Sequence, residues 1–309
     1  MNRCPITYEP CGNEKYSAEG LQKLSPSLTQ LFDFPYDKAE QLREAIARAS
    51  KISIQGVQPK LSVTLNKKKN IFEVTDAGGE YILKPQNDLY VGLPENEDLT
   101  MRLAATVGIE VPFHGMIYSK DGTRSYFIKR FDRLPKKRRV AVEDFAQLSE
   151  QTRETKYNSS MEKVAGIIER YCTFPLIEKQ KLFKRTLFNF LCGNEDMHLK
   201  NFSLISRHEK IELSPAYDLV NTTIALPNAI EEMALTLNGK KNKLNRENLV
   251  DYFGKERLGL TPITIQKTLD SIEKEKRRWI QLIEISFLSQ NMKEKYQALL
   301  KKRWEIIFG

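Results

Sequence analysis

The chain has 309 residues, of which 40% are hydrophobic and 29% charged, and a formal net charge of +9. That size allows a substantial core in one large domain or two lobes, and no stretch approaches the roughly 18 uninterrupted apolar residues of a membrane span. Basic residues group at Lys67 to Lys69, Lys136 to Arg139, Lys240 to Lys243 and Lys274 to Arg278. Runs this short read as solvated faces, so the charge does not by itself make a nucleic-acid binder. Cys4, Cys11, Cys172 and Cys192 form no CxxC pair, and His114, His198 and His208 lack metal-ligand spacing. Reduced thiols and no structural zinc are expected. The opening MNRCPITYEP lacks the apolar core of a signal peptide, so a cytoplasmic location without membrane attachment is expected.

In chain order, the first clear elements are strands at Leu61–Leu65, Ile71–Thr75 and Tyr81–Lys84, separated by lysine-rich and glycine-rich turns. They read as an antiparallel meander. Pro94 to Asp98 then starts a helix that Leu99–Val107 continues until Gly108 and Pro112 stop it. His114–Ser119 and Ser125–Phe131 form a further hairpin around Lys120 to Thr123. From about residue 141 the apolar spacing becomes helical, most clearly in Leu176–Asn194, and two long amphipathic segments, 262–289 and 291–307, end the chain. The expected class is α+β, with a β-rich lobe at 1–131, whose first 50 residues lead into the loop before the first strand, and a helical lobe at 132–309. A ligand is expected in the cleft between such lobes.

Three places carry chemistry. Before the first strand stands the segment Ser53 to Lys60, in which Gly56 lets backbone approach a ligand, and the amides of Gln55, Val57 and Gln58 with Lys60 could hold phosphate oxygens around Pro59. It matches neither the Walker pattern nor GxGxxG. Lys84 ends the third strand, and Glu97 near the following helix start could pair with it while its ammonium meets the α- and β-phosphates of ATP. Last comes the loop from Gly193 to Phe202, where Asp196 could orient a substrate hydroxyl and the Asn201 amide could hold magnesium. Their interval is that of the aspartate and asparagine in the kinase HRDxxxxN loop. Further on, Asp218 could be a second metal carboxylate. Taken singly, Asp196 reads equally as a helix cap and Asp218 as a turn residue. Together with Lys84 they read as a phosphotransfer set. Lys200 is placed to stabilise charge on the transferring group, and His198 either touches phosphate or packs.

The blocks SISIQGVQPKLSV, YILKP, ENEDLTMRLAATVGIEVP, FIKRFDR, LCGNEDMHLKNFSL and LSPAYDLVN, in this order, resemble the HipA family of serine/threonine kinase toxins over about residues 50–225. The resemblance implies a two-lobed protein-kinase-like fold using ATP and Mg2+. Its implied site has Asp196 as base, Asn201 and Asp218 on the metal, Lys84 on the nucleotide, residues 55–60 over the phosphates, and Lys129, Arg130 and Phe131 as a hinge near adenine. Tyr217 and His198 to Lys200 would line it. Ser53 matches the family's autophosphorylated position, where a dianionic phosphoserine would favour new contacts over a loop facing ATP.

Only about 50 residues precede Ser53, whereas full-length family members carry a sizeable domain there. The chain therefore resembles the short HipT-type toxins of three-component systems. That implies a small HipS-like protein in place of the missing domain, a HipB-like protein through which DNA is contacted indirectly, and a serine of an aminoacyl-tRNA synthetase as target, the tryptophanyl enzyme ahead of the glutamyl one. Two other classes remain open on the sequence. A small-molecule phosphotransferase of the aminoglycoside or choline kinase kind also fits AspMetHisLeuLysAsn, and a non-catalytic interaction protein would keep the fold without the chemistry.

Overall fold

The computed structural model describes residues 1–48, 58–134, 138–151, 155–226 and 231–309. Ser53, Gln55, Gly56 and Val57 lie outside the described residues. The chain divides into two units, one of Met1–Asp98, Pro112–Lys137 and Ile285–Leu288, the other of Leu99–Val111, Arg138–Glu284 and Ser289–Gly309.

The first unit begins with a two-stranded ribbon, β1 (Asn2–Arg3) and β2 (Pro10–Gly12), and helices α1 (Ala18–Leu24) and α2 (Lys38–Arg48). Ser17 caps α1 by accepting from the Gly20 N–H. These segments pack into the unit's core, because Cys4, Ile6, Leu21, Leu24 and Phe34 join Leu61, Val63, Phe72, Leu83 and Phe127 in one buried cluster. The cluster sits against a five-stranded antiparallel sheet. Its members are β3 (Leu61–Asn66), β4 (Ile71–Val74) and β5 (Tyr81–Lys84), followed, after helix α3 (Leu93–Thr106), by β6 (His114–Tyr118) and β7 (Arg124–Lys129).

The spatial order is β4-β3-β5-β7-β6, so the expected meander is corrected: β5 pairs with β3, not with β4. Burial decides this order. Leu61 to Val63 and Leu65 are all buried on β3, whereas β4 buries only Phe72 and takes the edge. Crossing over β3 requires Gly79, since a Cβ there would collide with Ser62 Oγ and press on the Val63 nitrogen at 3.1 Å.

The second unit is mainly helical but contains a small sheet. Strand β8 (Val142–Asp144) leads into α4 (Phe145–Leu148), then α5 (Met161–Tyr171) and α6 (Pro175–Cys192); β9 (Ser203–Arg207) and β10 (Lys210–Leu213) form a hairpin, and α7 (Thr222–Ala225) follows. The sheet order is β10-β9-β8. A wide π-type helix at Glu247–Arg257 precedes α8 (Pro262–Glu273), α9 (Lys276–Ile285) and α10 (Gln290–Phe308). The amphipathic segment expected at 262–289 is two helices, α8 ending at Glu273 and α9 starting at Lys276. Around α6 the core is aromatic. Trp279, fully buried, meets Phe188 edge-on at 5.5 Å and gives its indole N–H to Thr106 Oγ1 at 2.7 Å. Among the described residues no helix is long and apolar enough to cross a membrane.

Candidate active site

Helix α6 ends on Gly193, whose φ of +68° closes it with a left-handed cap. A side chain there would also strike Leu299, Thr223 Oγ1 at 2.7 Å and Asn221 Oδ1 at 2.9 Å. The chain thus leaves the helix along one narrow path. Asn194, buried, accepts from the Asp196 N–H at 3.2 Å. Glu195 turns inward: its N–H donates to Thr222 Oγ1 at 2.7 Å, and its carboxylate accepts from Thr223 Oγ1 at 2.6 Å with Arg303 at 3.7 Å. Burial pushes the Glu195 carboxyl above its ordinary pKa.

Between these buried neighbours, Asp196 points outward with its side chain 49% exposed. Its carbonyl accepts from the His198 N–H at 2.8 Å and from Asn201 Nδ2 at 2.7 Å. Committing Nδ2 to the backbone orients the Asn201 amide, so Oδ1 is the atom left to meet a cation. His198 accepts the Lys200 N–H at Nδ1, 3.2 Å away, and caps a short 3-10 turn over Leu199–Asn201. Burial holds its pKa below the ordinary histidine value. Its Nε2 lies 2.7 Å from Lys156 Nζ and 3.9 Å from Asp196 Oδ1.

Hairpin β9–β10 brings the second acidic group back to the loop. Asn201 stands before β9 and Asp218 after β10, and the Ser214 N–H closes the return on Ser203 O at 2.9 Å. Tyr217 fastens the junction, donating to Lys200 O at 2.9 Å and meeting Ser203 Oγ. Burial first, and then the charge of Asp218, push its phenol pKa up. Asp218 itself adopts φ +54°, the left-handed region that a β-carbon disfavours, a strain tolerated where a side chain must be aimed. Lys200, its backbone held by His198 and Tyr217, joins this group. The structure therefore brings Asp196, His198, Lys200, Asn201, Tyr217 and Asp218 together in one unit.

In the sheet unit, Lys84 and Glu97 meet as a buried ion pair at 2.5 Å, both nearly devoid of solvent exposure. Lys84 Nζ also lies 5.6 Å from the Tyr126 ring centre, across the β5–β7 register. Neighbouring acids on α3 are engaged too: Glu95 takes Gln86 and Arg124, and Asp98 takes His114 Nδ1 at 3.0 Å. Gln58, Pro59 and Lys60 are half-buried at the entry to β3. At the end of β7, Lys129 is exposed and its N–H serves Phe113 O. Arg130 gives its N–H to Glu80 O and its guanidinium to both oxygens of Asp132, and Phe131 begins the turn that follows.

Residues 52–280 match the HipA-like C-terminal domain. The chain belongs to the HipA-like family. A Haemophilus influenzae relative, named as a candidate kinase, is 30% identical over 94% of this chain and 93% of its own length. The serine/threonine-protein kinase toxin HipA of Shewanella oneidensis is 29% identical over 55% of this chain and 43% of its own. The solved Shewanella oneidensis HipA, in complex with HipB and operator DNA, superposes with a TM-score of 0.70 at 22% identity over 91% of this chain and 73% of that one. The fold is thus the α+β fold of the HipA kinases.

Two residues of this HipA-like site have no signature in the sequence. Tyr157 donates to Asp196 Oδ1 at 2.5 Å, and Lys156 meets His198. Both come from a polar stretch, Thr155 to Asn158, that reads as an ordinary turn and lies 39 residues before Asp196.

Proposed function

We propose that the chain is an ATP-dependent protein serine/threonine kinase acting as the toxin of a toxin–antitoxin system. The observation that carries this reading is the loop geometry: an outward Asp196 carboxylate whose own backbone carbonyl orients Asn201, with the β9–β10 hairpin bringing Tyr217, the residue before Asp218, back onto Lys200 O. A fold without this chemistry has no need to leave one carboxylate exposed between buried polar neighbours.

In the reaction, Asp196 orients the acceptor hydroxyl and takes its proton as the oxygen bonds to the γ-phosphorus. The bond from that phosphorus to the β,γ-bridging oxygen breaks, and ADP leaves. Lys84, held by Glu97, serves the α- and β-phosphates, and Lys200 offsets charge on the group in transfer. Gln55, Gly56, Val57, Gln58, Pro59 and Lys60 cover the phosphates, while Lys129, Arg130 and Phe131 adjoin the adenine. Among the described residues no group of three or more His, Cys, Asp or Glu forms a metal cluster. Asn201 Oδ1 and the Asp218 carboxylate are hard oxygen donors, the pair that would hold Mg2+ here. Bound there, magnesium would supply charge neutralisation of the phosphates.

The finer reading follows the short HipT-type toxins. Its target is a serine of an aminoacyl-tRNA synthetase, tryptophanyl ahead of glutamyl. Its partners are a HipS-like and a HipB-like protein, with DNA reached through the latter. Autophosphorylation at Ser53 then silences it. The test is to incubate unphosphorylated chain with labelled ATP and Mg2+ beside Asp196→Asn and Ser53→Ala, with both synthetases, and to map labelled residues by mass spectrometry. Label on Ser53 and on the tryptophanyl enzyme, lost in Asp196→Asn, supports the kinase activity, its target and its autophosphorylation. Wild type that labels nothing, like Asp196→Asn, refutes the kinase reading.

A further inference from the structure

The phosphotransfer described above makes no use of Tyr157, yet this residue holds the reacting carboxylate. Its hydroxyl donates to Asp196 Oδ1 at 2.5 Å, within the range of an O–H bonded to a charged oxygen. Its ring stands edge-on to His198, centroids 4.9 Å apart at 89°, with Lys156 Nζ 4.8 Å from the ring centre. The side chain nevertheless remains 39% exposed. A tyrosine kept for stability would be expected to bury its ring, as Tyr296 and Tyr126 do in this chain.

We propose that the Tyr157 hydroxyl occupies the acceptor-hydroxyl position on Asp196, as a built-in occupant that an incoming serine or threonine hydroxyl must replace. This rests on the kinase reading and deepens it by locating the acceptor subsite. The base in such a site accepts a hydrogen bond from the hydroxyl it will deprotonate, and Tyr157 satisfies Asp196 in the same way. Burial, followed by the hydrogen bond to Asp196 and the charge of that carboxylate, raises the Tyr157 pKa. The phenol therefore keeps its proton and is a poor nucleophile where it sits. The exposed edge of the ring gives the acceptor chain a way to push it aside. Lys156 and His198 border the position that is then opened.

Because a hydrogen bond to a charged group contributes about 1.5–3 kcal/mol, the occupant weakens acceptor binding by roughly ten- to a hundredfold. The test compares wild type, Tyr157→Phe and Asp196→Asn as full chains, with dephosphorylated casein as the acceptor probe and with KM for ATP and for casein measured separately. Tyr157→Phe keeps the ring and removes only the competing hydroxyl. The expected result is a casein KM lowered tenfold or more, with kcat not reduced and the KM for ATP within twofold of wild type. An unchanged casein KM, or a fall in kcat, would overturn the inference, the latter making Tyr157 a positioning residue for Asp196. If wild type and Asp196→Asn alike transfer nothing to casein or to any synthetase, the kinase reading fails and the inference with it. Transfer by wild type with an indifferent Tyr157→Phe sinks the inference alone.

Discussion

Lys84 and Glu97 offer the sharpest test of how the sheet unit is built. Their side chains are 3% and 0% exposed and meet at 2.5 Å, so Lys84→Met takes the ammonium away from a carboxylate already removed from water. Breaking a buried pair by deleting one partner costs about 3–5 kcal/mol, a large part of a domain stability of about 5–15 kcal/mol. Glu97→Leu should cost a similar amount, because it strips the counter-charge from a buried lysine. The double variant Lys84→Met with Glu97→Leu replaces both charges by apolar groups, and its loss should fall below the sum of the singles by about 2 kcal/mol or more. Urea unfolding followed by tryptophan fluorescence and by far-UV circular dichroism measures all four proteins, provided the m-value stays constant. Additivity within about 0.5 kcal/mol would refute the reasoning, since independent sites behave that way. Phosphotransfer should be lost in the double variant even where its stability recovers, which separates the proposed role of the lysine towards ATP from its role in the core.

Gly193→Ala combines a left-handed backbone that costs an alanine about 1–2 kcal/mol with overpacking worth about 1–3 kcal/mol, so unfolding should show a loss of about 2–5 kcal/mol. A loss below about 1 kcal/mol would mean that α10 yields freely at Leu299. Asn201→Leu removes the Nδ2 bond to the Asp196 carbonyl; it should cost about 1–2 kcal/mol of stability and lower kcat at least a hundredfold, read by unfolding and by ADP release. For pH, hydrogen bonds from Arg207 first hold the Glu110 carboxyl below its ordinary value of 4.5. A depressed carboxylate stabilises the fold above that ordinary value and loses its contribution as pH falls through the depressed one. Because the Glu110 side chain is about half exposed, the contribution stays under about 1 kcal/mol. Glu110→Gln should therefore flatten the acid limb of a stability–pH curve below about pH 4.5 without lowering stability there.

Local signals in the chain made much of this structure legible. Strand β5 and helix α3 show in the run from Tyr81 to Val107 because apolar spacing, an acidic helix start and Gly108 act over a few residues. The Lys84–Glu97 pairing follows from the same short range. Strand order did not follow, because β3 and β4 both alternate well enough to be strands, and only the burial of Ser62 and Val63 beneath the β4–β5 connection separates centre from edge. The 50 residues before the loop read only as leading into it, and among the described ones Cys4, Ile6 and Phe34 are core residues. Their partners lie far along the chain, so periodicity within the segment had little to report.

The candidate catalytic loop divides along the same line. The candidate set Asp196, Asn201 and Asp218 was visible because the proposed phosphotransfer would constrain residue type and interval, and the hairpin that joins them is itself local. What holds them was not visible. Glu195 is fixed by Thr222, Thr223 and Arg303, and Asp196 is met by Tyr157, through contacts spanning 27 residues or more. A threonine pair, a tyrosine in a polar turn and an arginine in a terminal helix are each ordinary by themselves. Their meaning arises when α6 ends on Gly193 and the tight packing of Leu299 and Thr223 around that glycine leaves the loop one exit. The proposed reacting groups are thus written locally, while the groups that aim them are supplied by tertiary packing, where a stable sequence has many equivalent ways to place a hydrogen bond.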